Sequence, residues 1–99
     1  MALTKFGFIV TGAGLDPQFN RMSMASDQFE MITVGVANAS QGPAVAKGMI
    51  ENGVQLIELC GGFGPEWTGK VIEAIDGAIP VGSVAYGPES IDQIYRLFK

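Results

Sequence analysis

The chain has 99 residues, 47% of them apolar and 16% charged, a composition that suits one globular domain spanning 1–99. Six basic residues against ten acidic ones give a net charge of −4, which argues against nucleic acid, and the absence of histidine removes the commonest general base and metal ligand. One cysteine excludes an internal disulfide and no apolar run reaches the ~18 residues of a membrane span, so the expected setting is the cytoplasm, away from any membrane.

Taken in chain order, Phe6-Gly7-Phe8-Ile9-Val10 has no polar position and reads as a strand buried on both faces. Pro17 to Met22 reads as a short helix. Met31-Ile32-Thr33-Val34-Gly35-Val36, rich in β-branched residues, is the second expected strand. From Pro43 to Asn52, Val45, Ala46, Met49 and Ile50 form one stripe, and Gly53 stops the helix. Val54 to Cys60 is a third strand. Thr68, Val71, Ile72 and Ile75 recur at helical spacing between Pro65 and Asp76. Pro80 to Ala85 is a fourth strand, and Ile91, Ile94, Tyr95 and Phe98 mark a last helix from Pro88.

Asp16-Pro17, Gly42-Pro43, Gly64-Pro65 and Gly87-Pro88 each follow a strand and open a helix, where proline suits the first helical position. Repeated strand, small-residue loop and helix mean parallel strands joined by crossovers. The expectation is a small three-layer α/β domain, with a four-stranded, mostly parallel sheet and helices on both faces.

Ligands of such sheets bind at the carboxyl ends of the strands. The loops there hold Gly12 and Gly14, Asn38, Gly61 and Gly62, and Tyr86, and their small residues allow a ligand close to the backbone. None continues as Gly-Lys-Ser/Thr, and Gly12-Ala13-Gly14 lacks the third glycine of a dinucleotide fingerprint. Glu58 stands inside an otherwise apolar strand, where an unpaired buried charge costs several kcal/mol. It fits an acid/base, a cation ligand or an anchor for loop amides. Side-chain alternation puts Cys60 on the same face, next to a helix start, which leaves a thiol-dependent reaction open. Asp16, Glu66 and Glu89 complete an acidic edge that suits a cation or an amine; the same two glutamates also suit their helix dipoles. Phe63 and Trp67 serve either as pocket walls or as core.

The stretch Val54–Glu66, most specifically Glu58-Leu59-Cys60-Gly61-Gly62-Phe63-Gly64, resembles a family of small bacterial proteins carrying only a domain-of-unknown-function label. Phe8-Ile9-Val10, Gly14-Leu15-Asp16-Pro17 and Thr33-Val34-Gly35-Val36 match in style, and after Val84 the likeness fades. The resemblance implies a short, stand-alone α/β chain with no established reaction. Relatives with loop histidines would use chemistry that this chain lacks.

Two functions follow as expectations. The first is small-molecule binding, with or without catalysis, at an edge built from Gly12, Gly14, Asp16, Asn38, Glu58, Cys60, Gly61, Gly62 and Tyr86; no metal and no particular cofactor is indicated. The second is a homo-oligomeric interaction module without chemistry, using Phe19, Met22, Met24, Phe29 and Met31.

Overall fold

The computed structural model describes residues 2–98. Five strands, β1 (Lys5–Thr11), β2 (Arg21–Ala25), β3 (Glu30–Val36), β4 (Leu56–Leu59) and β5 (Val81–Ser83), form one sheet in the order β2-β3-β1-β4-β5. β1 runs parallel to β3 and β4, and β4 parallel to β5; β2 is antiparallel to β3 at the edge. Helices α1 (Gly42–Glu51), α2 (Gly64–Ala74) and α3 (Ile91–Phe98) complete the chain.

The fifth strand replaces the helix expected from Pro17. Asp16 closes a tight turn: its carbonyl accepts the N–H groups of Phe19 (3.1 Å) and Asn20 (2.7 Å), and its Oδ1 accepts that of Gln18 (2.8 Å). An Asx turn of this kind satisfies the backbone locally and leaves nothing to propagate a helix. Arg21 to Ala25 then alternate polar or small with methionine, a period of two that suits an edge strand.

Strand pairing sorts the side chains into two faces. Gly7, Ile9, Ile32, Val34, Ile57 and Leu59 share one of them by register. α1 and α2 cover it, both opened by a Gly-Pro pair. Ile9, Val34, Val36, Ile57 and Leu59 are fully buried there with Ala46, Met49, Phe63 and Val71. Gly7 fits this contact closely: a Cβ would lie 2.6 Å from the Met49 sulfur, and the methionine would have to shift. Each isoleucine or leucine so buried stabilises the fold by about 1.5–3 kcal/mol.

The other face carries no helix among the described residues. Met22, Met24 and Glu58 on it are exposed, and none of the residues of α3 is buried. The observed architecture is therefore two layers, correcting the expected three. The connection to α3 is anchored at the sheet's end: Val84 donates its N–H to Leu59 O (2.9 Å), and the Pro88–Ser90 turn follows before the helix begins. The radius of gyration is 13.9 Å, against roughly 12.6 Å for a compact chain of this length. No helix among the described residues is long and apolar enough to cross a membrane.

Candidate functional site

One row of side chains crosses the open face on all five strands: Met22, Thr33, Phe8, Glu58 and Gly82, aligned by register. Thr33 and Glu58 flank Phe8 on adjacent strands, so they stand about 10 Å apart at the usual strand spacing. The neighbouring row, Met24, Met31, Phe6 and Leu56, is wholly apolar, and Phe29 stacks on Phe6 at 6.5 Å between ring centroids. Thr33 and Glu58 are thus the polar features of an otherwise apolar surface.

Glu58 borders a hollow of about 280 Å³ with Gly82, Ser83 and Val84. Its side chain is exposed, which corrects the expectation of a buried strand carboxylate. The cause is the fold: both long helices went to the opposite face, leaving β4 with one wet side. The two ion pairs, Lys5–Glu30 and Lys70–Glu66, leave Glu58 without a partner among the described residues. Gly82 keeps the hollow open, since nothing lies within 4 Å of where its Cβ would be.

A second hollow, of about 340 Å³, lies at the β2–β3 end of the same face, between Val10, Leu15, Phe19, Arg21, Met22 and Thr33. Leu15 reaches back over Gly12 and Gly35, and any Cβ at either glycine would strike it. The Thr33 hydroxyl oxygen is buried without a hydrogen-bond partner. Such an orphan costs about 1–3 kcal/mol, so its retention needs a reason. Arg21 donates only to Pro17 O (3.2 Å) and pairs with no carboxylate among the described residues.

The other expected site residues make contacts within the fold. Cys60 lies 3.2 Å through its sulfur from both the backbone N and the Oγ1 of Thr11, so it ties the ends of β1 and β4 together and does not line the Glu58 hollow. Gly62 is packed against Thr11 Oγ1, and Gly61 against the Tyr86 ring, 2.9 Å from a built Cβ. Gly12 seats Leu15, and Gly14 turns the chain at φ +78°. Asp16 holds its own turn, and the N–H groups of Ala37 and Asn38 both reach Gln41 Oε1 (2.8 and 3.1 Å). The four loops therefore do not converge on Glu58. The acidic edge also disperses: Glu66 pairs with Lys70 at 3.3 Å, and Glu89 folds over Gly87. Among the described residues no three His, Cys, Asp or Glu side chains are grouped to hold a metal ion. Phe63 is core, and Trp67 packs against that core beneath the Lys70 ammonium, 4.1 Å from the ring centre.

Thr33 and Gly82 escaped the sequence reading. Thr33 sits in a β-branched run, where threonine is ordinary, and nothing there tells which face lacks a cover.

Fold and site together define a small α/β domain with a half-covered sheet and two polar groups set into its open face. The chain belongs to a family of unknown function, DUF6506, whose model matches residues 4–99. That match runs past Val84 to the end of the chain, so the last helix is part of the family pattern. No curated protein and no solved structure matches the chain.

Proposed function

We propose that the chain binds a small molecule on the open sheet face, in the hollow that Glu58 shares with Gly82, Ser83 and Val84. The observation that carries this reading is the unpartnered Glu58 carboxylate beside an open hollow on an apolar surface. A carboxylate there accepts hydrogen bonds and no group among the described residues supplies them, which favours a ligand with an amine or another donor at one end and an apolar body. The setting we propose is the cytoplasm, on the single free cysteine and the absence of a disulfide. Screening amines and polyol metabolites by thermal shift tests the reading. A binder at a hundred times its Kd stabilises by about 2.7 kcal/mol. Glu58→Gln is expected to remove most of that shift, and Gly82→Val to block it by filling the hollow without disturbing the strand. A library that moves the melting temperature of none of these proteins overturns the reading.

A second reading, self-assembly, is favoured by a separate observation: Phe19, Met22 and Met24 are 76%, 70% and 65% exposed. Monomeric proteins rarely leave large contiguous apolar patches in water. Light scattering at micromolar concentration is expected to return more than one chain.

A further inference from the structure

We infer that the open sheet face is covered by α3 of a second copy of this chain, each copy lending its helix to the other. The inference rests on the self-assembly reading and names the segment and the seat it takes. Two unpartnered surfaces occur in one small chain. The helix presents Ile91, Ile94, Tyr95 and Phe98 at i, i+3, i+4 and i+7, with Asp92, Gln93 and Arg96 opposite. Ile91, Tyr95 and Phe98 are 58%, 67% and 82% exposed, and an eight-residue helix that packs on nothing is marginal in water. The seat is the β2–β3–β1 half of the open face, where Met22, Met24, Phe29 and Phe19 project.

Size and symmetry support a second copy over an unrelated partner. The exposed apolar side chains of helix and sheet together offer on the order of 1,000 Å² from each chain, against the ~800 Å² per partner of a stable dimer. A self-complementary contact needs both surfaces on every copy, and every copy has both. The Val84–Leu59 hydrogen bond and Tyr86 packed on Gly61 pin the connection to α3 at the sheet's end. In the dimer the missing third layer is supplied by the partner. The Glu58 half of the face stays open, and the incoming helix gives it a side wall.

The experiment pairs light scattering with directed cross-linking. The full chain is expected at about twice 10.4 kDa at micromolar concentration, and Tyr95→Asp with Phe98→Asp is expected to run as a folded monomer, since neither side chain is buried. Chains carrying Met24→Cys and differently tagged chains carrying Tyr95→Cys are then mixed and mildly oxidised. A disulfide joining the two tags is expected. A monomeric wild type overturns both self-assembly and the helix exchange. A dimer that survives the two aspartates, or that gives no mixed disulfide, overturns the exchange and leaves self-assembly standing. A disulfide formed only within a single chain bearing both cysteines assigns α3 to its own sheet and also overturns it.

Discussion

At Glu58, exposure decides which chemistry is available. A carboxylate sealed inside a sheet would be relieved by Glu58→Gln, whereas one facing water should barely notice the change. The expected shift in unfolding free energy is within about 0.5 kcal/mol, read from urea midpoints. Thr33 behaves in the opposite way. Its buried hydroxyl lacks a partner, so Thr33→Val, which keeps the shape and removes the polar atom, should stabilise the protein by about 1 kcal/mol. If that gain comes with weaker ligand binding, the hydroxyl is kept for function at a cost to stability. Cys60 belongs to neither case. Its sulfur accepts the Thr11 N–H, so Cys60→Ala strands a part-buried donor while Cys60→Ser retains an acceptor. The alanine variant should unfold about 1 kcal/mol more easily than the serine variant in the same assay.

Among the elements, those with a long period and a clear stop were legible. Gly-Pro starts, apolar stripes and terminal glycines marked α1 and α2, because each signal reports a local backbone requirement. β2 was not legible, since five exposed residues carry no burial pattern, and only the alternation of Met22 and Met24 betrayed it. The residues of the proposed site were half legible: Glu58 stood out as a charge in an apolar run, while Gly82 gained meaning only from cross-strand register. Packing between elements gives a sharp test at Gly42. A Cβ there would lie 2.5 Å from the Phe63 ring, itself held by the core. A rigid aromatic cannot step aside as a methionine can, so Gly42→Ala should cost about 1–3 kcal/mol, despite alanine's better helix propensity. A thermal melt compared with Gly48→Ala, where nothing lies near the added carbon, separates the two effects.

For the molecule as a whole, the lesson lies in which face the helices chose. The repeating strand and helix pattern announced an α/β sheet, but a pattern along one chain does not say whether the third helix closes its own sheet. The strand run Phe6–Val10 is apolar on both sides, which is how a sheet covered on both sides reads; among the described residues α1 and α2 cover one side. The order β2-β3-β1-β4-β5 carries a consequence for how fast such a chain reaches its native state. The first strand to leave the ribosome ends up in the middle, and its contact with β4 spans 50 residues, as between Lys5 and Gln55. Only the β2–β3 ribbon can zip early; the central pairing must await a wide search, which places refolding nearer milliseconds to seconds than microseconds. Throughout that wait Met22, Met24 and Met31 are bared to every neighbouring nascent chain, so yield on refolding should fall steeply as protein concentration rises.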